Sequence, residues 1–352
     1  MCERCGNTYN NILNAGRRGF LKSGAAAAAS FAIPAGLMSA NQAAASGLTR
    51  IKATHGGGLC NLGIFIAKER KLAEEDGVDL DFVVTPTTTD VVTLFGAGMV
   101  DVSVIPYSNF INLVDVGAPV QLVAGAGVEG CILIGAEGIT SAQDLKGKSL
   151  GTFQADTLEV LPYDYMSSAG IPFAEADIKY FNSSPELAAA FLNGAIDSVC
   201  HIQPYAMQCL KERAGSTVLT DGIDLYGKGY ADCVLAARTP LLEENPDAVK
   251  AVIKAMMTAQ LATEQDTLST LEDTVGKYYK TKLEDLTLAQ SSQPVMIDQR
   301  NNTDFFYDRS VSMQKMGYVK NTLPSDAVNW TLLEEVISEN ADLYSKLKLK
   351  TV

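Results

Sequence analysis

A chain of 352 residues, 47% of them apolar, has more length and more apolar side chain than one small core can use, so two lobes are expected. Its 41 acidic against 28 basic residues leave a formal charge of −13, a balance that repels nucleic acid and anionic lipid. After residue 45 no apolar run is long enough to cross a bilayer.

Residues 16–24 read GRRGFLKSG, with Arg17, Arg18 and Lys22 as a charged start, a mild Ala/Gly-rich stretch behind them and Ala43-Ala44-Ala45 as small cleavable residues. Arg17 to Lys22 resembles a twin-arginine export signal, so residues 1–45 are expected to be removed after export. A helix of the mature domain is a poorer reading, since the run carries Pro34 and lacks an amphipathic pattern. Removal takes four basic residues and one acid, which leaves 24 basic and 40 acidic residues and a charge of −16. Cys2 and Cys5 leave with the signal. They form a lone Cys-x-x-Cys that offers two of the four ligands zinc prefers. Five cysteines remain: Cys60, Cys131, Cys200, Cys209 and Cys233. The odd number means that at least one is free or pairs outside the chain, and spacing assigns no bridge.

The first element past the signal is a β run over 48–54, followed by the Gly-rich loop HGGGLCN. Helical spacing over 62–76 closes at Gly77, and the alternating stretch 78–84 stops before Pro86. A capped helix over 87–98, a strand over 100–106, a helix over 107–117 and a strand over 119–127 follow. The alternation restarts at 131–136 and continues through strands near 149–153, 176–182, 196–202, 216–220 and 231–239. Helices lie between them, one interrupted or kinked at Pro162. From Asn245 onward the pattern is helical. Strands alternating with helices predict an α/β fold of mostly parallel sheets flanked by helices. Strands near 131–136 and 233–238 separate two such halves and would form a two-strand hinge.

Three stretches resemble a known family: ITSAQDLKGKSLGT at 139–152, LNGAIDSV at 192–199 and NPDAVKAVIKAMMTA at 245–259. They are similar to the periplasmic substrate-binding proteins of ABC importers, in the NMT1-like branch that serves nitrate, sulfonates, taurine and thiamine precursors. The resemblance covers essentially the whole mature chain. It implies a two-lobed periplasmic-binding-protein fold of type II, with lobe 1 at 46–132 and 238–352 and lobe 2 at 133–237. It also implies a periplasmic, monomeric receptor that closes on a small-molecule ligand and delivers it to an ABC permease in the inner membrane. The twin-arginine translocon would be its partner during export; no nucleic acid, cofactor, metal or catalytic residue is expected. The Asp144–Lys148 turn and Pro246 mark the fold rather than a ligand site.

Ligands of open α/β sheets bind beyond the carboxyl ends of the strands. Four such loops supply candidates. In the first, His55, Gly57, Gly58, Cys60 and Asn61 combine side-chain donors with backbone that approaches closely. Tyr107 and Ser108 form the second, and Gln154, Asp156 and Thr157 the third. His201 and Gln203 form the fourth, where relatives often carry Glu-Pro instead of Gln203-Pro204. Asp232, at the start of the returning strand, completes the set. No arginine stands among these loops, and an acid at Asp156 suits a simple anion poorly. A neutral or amine-bearing polar organic molecule is therefore expected ahead of nitrate or sulfonate. His55 and His201 with Cys60, Cys200 and Cys233 nearby would suit a soft metal. The preferred reading makes those cysteines small core hydrophobes and has the histidines orient a neutral ligand. The alternatives are a Tat-exported metal or cofactor protein and an enzyme related to thiamine-pyrimidine synthases, although the cysteine-rich run of those enzymes is absent. No Gly-x-Ser-x-Gly, Walker or dinucleotide motif is present.

Overall fold

The computed structural model describes residues 47–83 and 93–351. The export signal therefore lies outside the described residues, as does the start of the helix expected over 87–98, whose residues 93–96 are helical. Two five-stranded sheets carry the fold. The first is built from β1 (Thr49–His55), β2 (Val78–Phe82), β3 (Val102–Pro106), β4 (Val120–Val128) and β10 (Ala231–Arg238), in the order β2-β1-β3-β10-β4. The second holds β5 (Cys131–Gly135), β6 (Ser149–Thr152), β7 (Asp177–Tyr180), β8 (Ser198–Ile202) and β9 (Thr217–Thr220), in the order β7-β6-β8-β5-β9. In each sheet one strand runs against the others: β10 is antiparallel to β3 and β4, and β5 to β8 and β9. These are the two strands expected at the crossings. Each returns from the other half, which fixes its direction.

The boundaries shift from those read in the sequence. Residues 231–237 were expected in lobe 2, yet they hydrogen-bond between β3 and β4 of the first sheet. Cys131 and Ile132 were expected in lobe 1, yet they pair with Ile202 and His201 in the second. The chain crosses at Glu129-Gly130, both in the left-handed region at φ 60° and 85°. It returns beside the same point, where Glu129 N donates to Tyr230 O at 2.9 Å and Gly229 N to Glu129 Oε1 at 2.7 Å.

Helices cover the sheets as the alternation requires. The helix Leu62–Glu69 and the long helix Pro246–Gln265 pack on one face of the first sheet. Asn245 caps the long helix, accepting from Ala248 N at 3.2 Å, and Pro246 occupies its first turn. Its Val249, Val252, Ile253, Met256 and Met257 are buried, each worth roughly 1.5–3 kcal/mol of transfer free energy before the entropy of ordering is subtracted. The helices Tyr107–Asp115 and Thr303–Lys315 cover the other face. The second sheet has its own core around Leu133, Leu150, Leu187 and Val199. Two local expectations change. The helix Thr157–Ser168 runs unbroken through Pro162, and Ser141 rather than Asp144 caps the short turn, with Asp144 closing a capping box from its third position.

Candidate functional site

The ends of strands from both sheets meet around a partly open cavity of about 50 Å³. That is room for a few waters or a compact group of a few heavy atoms. From the first sheet come the glycine loop after β1, Pro106 at the end of β3, and Asp232 and Cys233 on β10. From the second come Phe153 after β6, the helix start Asp156–Leu158, Ser184, and Ile202 at the end of β8. Hydrogen bonds cross the gap beside it, from Leu59 N to Gln203 O at 3.0 Å and from Asn112 Nδ2 to Ala155 O at 3.3 Å.

Of the residues singled out in the sequence, Gly57, Gly58, Cys60, Asn61, Asp156, Thr157 and Asp232 line this cavity. The other six stand elsewhere. His55 turns into an aromatic cluster, edge-on to Phe65, Phe82 and Tyr278 at 4.6 to 5.8 Å, and burial lowers its pKa. His201 is fully buried, stacked on Tyr205, with Nδ1 accepting from Ile202 N at 2.8 Å and Nε2 donating to Ser184 O at 2.9 Å. Desolvation lowers it to about 4 and keeps it neutral. It thus holds the Ser184 loop rather than facing the cavity. Tyr107 packs edge-on to Phe305, behind the wall. Ser108 is buried with its hydroxyl unpaired, and Gln154 is exposed. Gln203 is buried and accepts from Met207 N through Oε1 at 3.1 Å. The histidines therefore do not converge on a shared ligand. Ser184 and Phe153 were not among the sequence candidates, and Cys233 was considered only beside a soft metal. Ser184 was discoverable, since it opens the helix that follows β7 and obeys the same strand-end rule.

Two carboxylates dominate the electrostatics. Asp156 caps the helix Thr157–Ser168, with Oδ1 accepting from Leu158 N at 3.1 Å. Asp232 is 1% exposed. Its Oδ1 accepts from Thr157 Oγ1 and Cys131 Sγ, both at 3.3 Å, and its Oδ2 from Gln293 Nε2 at 2.8 Å. Desolvation pushes Asp156 up to about 6 and Asp232 up to about 7; Asp156 adds to the rise of Asp232, and Glu159 to that of Asp156. No lysine or arginine lines the cavity among the described residues. Cys60 and Cys233 form a disulfide across 173 residues, with Cα atoms 5.8 Å apart. Cys233 Sγ lies 3.2 Å from Asp232 Oδ2; as a disulfide sulfur it has no hydrogen to donate, so this is a contact rather than a hydrogen bond. Cys131, Cys200 and Cys209 are free and buried, and burial raises all three thiols, Cys209 to about 12.

The buried charge at Asp156 has a measurable consequence. A carboxyl whose pKa is raised from 3.8 to about 6 on folding costs stability as the pH rises through that interval. Asp156→Asn keeps the helix cap and removes the charge. Its stability relative to the wild type should therefore grow by about 1 kcal/mol between pH 5 and pH 7. Glu159 and Asp232 face the same group and stay in place in both proteins. Urea unfolding at the two pH values reads the difference, and a gap that shrinks toward pH 7 contradicts the assignment.

The NMT1/THI5-like family model matches residues 61–267, more than half of the chain and both sheets of the cleft. The chain belongs to the NMT1/THI5-like family. Among curated relatives of the family, the 4-amino-5-hydroxymethyl-2-methylpyrimidine phosphate synthase of Schizosaccharomyces pombe is 25% identical over 228 residues, 60% of this chain. The match spans 64% of that relative's length. Among solved structures, the zinc-bound ligand-binding component of an ABC-type import system from Staphylococcus aureus superposes with a TM-score of 0.71 at 16% identity. It covers 82% of this chain and 99% of its own. The periplasmic aliphatic sulphonate binding protein SsuA of Escherichia coli gives 0.67 at 18% identity, over 86% and 92%. These likenesses show the two-lobed periplasmic-binding-protein fold in this NMT1/THI5-like chain.

Proposed function

We propose that this NMT1/THI5-like protein is the solute receptor of an ABC-type importer, exported to the periplasm, and that its ligand is a small polar organic molecule carrying a protonated amine or amidine. The receptor captures the ligand between its two halves and presents it, closed, to an inner-membrane permease. Lobe boundaries at the two crossings, a monomeric state and export by the twin-arginine route belong to the same reading. The observation that carries the ligand class is the cavity itself. Its described lining holds two buried carboxylates and no basic side chain, so a cation entering it gains two charge-assisted partners and an anion gains none. The sulphonate named for SsuA is for this reason not carried over.

A thermal-shift panel tests the reading, with amines and amino-heterocycles in one arm and sulfonates and nitrate in the other. A ligand at 100 times its Kd stabilises by about 2.7 kcal/mol, and such shifts are expected only in the first arm. Large shifts from sulfonates or nitrate with none from amines would reverse the assignment.

A further inference from the structure

Two sulfurs in the cavity wall are not used by ligand capture, and they lie beside the Asp232 carboxylate, which is. Cys60 sits in the turn Leu59–Asn61 that leads into the helix Leu62–Glu69. Cys233 sits on β10, one residue from Asp232. The two sulfurs and an Asp232 oxygen lie within 4.8 Å of one another, all three side chains are buried, and all three residues line the cavity. Around a tetrahedral zinc, with Zn–S about 2.3 Å and Zn–O about 2.0–2.2 Å, such atoms stand roughly 3.3–3.8 Å apart. Small side-chain rotations span that difference.

We propose that, once the Cys60–Cys233 disulfide is reduced, Cys60, Cys233 and Asp232 form a binding site for one thiophilic d¹⁰ cation, Zn²⁺ or Cu⁺. Three protein ligands leave the fourth position pointing into the cavity, where water or a solute can sit, the arrangement of an open rather than a closed zinc site. The supporting contacts are in place. Gln293 Nε2 and Thr157 Oγ1 orient the Asp232 carboxylate at 2.8 and 3.3 Å. Gly127 lets the Cys60 turn approach β4, because a Cβ there would lie 2.5 Å from Cys60 Cα. Among the described residues no lysine or arginine lines the cavity beside the sulfurs.

The chemistry balances. A dithiol reductant transfers two electrons and two protons to the disulfide and becomes a disulfide itself, leaving Cys60 and Cys233 as thiols. The incoming Zn²⁺ then displaces both thiol protons to solvent. In the oxidised protein the two sulfurs are bonded to each other and only the carboxylate remains, so the site is gated by redox state. This proposal does not depend on the ligand class assigned above.

Equilibrium dialysis against Zn²⁺ tests it, using the full chain carrying Cys2→Ser and Cys5→Ser so that the N-terminal Cys-x-x-Cys does not contribute. Protein reduced with a phosphine and desalted should bind about one zinc per chain, and oxidised protein almost none. Co²⁺ in place of Zn²⁺ should add thiolate-to-metal charge-transfer absorption in the near ultraviolet. Cys60→Ser should abolish that absorption, Asp232→Asn should weaken binding by about tenfold or more, and Cys209→Ser, away from the cavity, should leave stoichiometry unchanged. Equal binding by the oxidised and reduced forms of that chain, no binding by the reduced form, or loss in Cys209→Ser but not Cys60→Ser would overturn the assignment. The comparison of its oxidised and reduced forms requires no substitution at the cavity.

Discussion

Replacing Asp164 by alanine is expected to cost about 3–5 kcal/mol of stability. Asp164 projects from the helix Thr157–Ser168 of the second half into a largely buried network. It pairs with Arg309 and accepts from Ser312 Oγ at 2.8 Å, both on the helix Thr303–Lys315 that packs on the first sheet. It also accepts from Tyr226 OH at 2.8 Å. Arg309 lies over the Tyr226 ring at 4.6 Å, and the side chains of the ion pair are only 15% and 14% exposed. Removing the carboxylate leaves a guanidinium and two hydroxyls without their partner, and the penalty is that of an uncompensated buried charge rather than of a lost surface pair. The double variant Asp164→Ala, Arg309→Met should recover most of the loss, since no orphaned charge remains. Urea unfolding of both variants tests this. A loss below about 1 kcal/mol for Asp164→Ala would mean that the pair is solvated and contributes as a surface bridge does.

Gly127→Val should destabilise by about 3 kcal/mol, at the upper end of overpacking costs. A Cβ on Gly127 would lie 2.5 Å from both Cα and Cβ of Cys60. Cys60 is tied to Cys233 on the strand next to β4, so neither the turn nor the strand has free travel. Gly57→Ala is the control. Nothing stands within 4 Å of a Cβ there, and stability should stay within about 0.5 kcal/mol of wild type. Equal stability of the two variants would show that the Cys60 turn yields, and would remove the steric account of the glycines in β4.

Much of the architecture is local and therefore legible in the chain. Alternation along 78–82 and helical spacing along 62–69 declare a strand and a helix, because burial of one face sets the period. Gly57, Gly58, Asn61, Asp156 and Thr157 could be named as candidates because they follow strands, and the strand-end rule needs only the order of elements. That rule failed for His55 and His201. Both lie on the ends of their strands rather than after them; ring packing against Phe65, Phe82 and Tyr278 draws the first away, and the Ser184 carbonyl holds the second.

The sequence by itself determined the α/β class, the acidic charge and the loops from which a site would be drawn, because each depends on composition or on spacing within a few residues. Only the tertiary structure decided which distant residues meet. Cys60 finds Cys233 across 173 positions and Gln293 reaches Asp232 across 61. These pairings follow from the return of β10 between β3 and β4, which brings together groups far apart in the chain. The pKa values of Asp156 and Asp232 have the same origin. Desolvation is a property of what surrounds a carboxylate, and here both halves of the fold supply the surroundings.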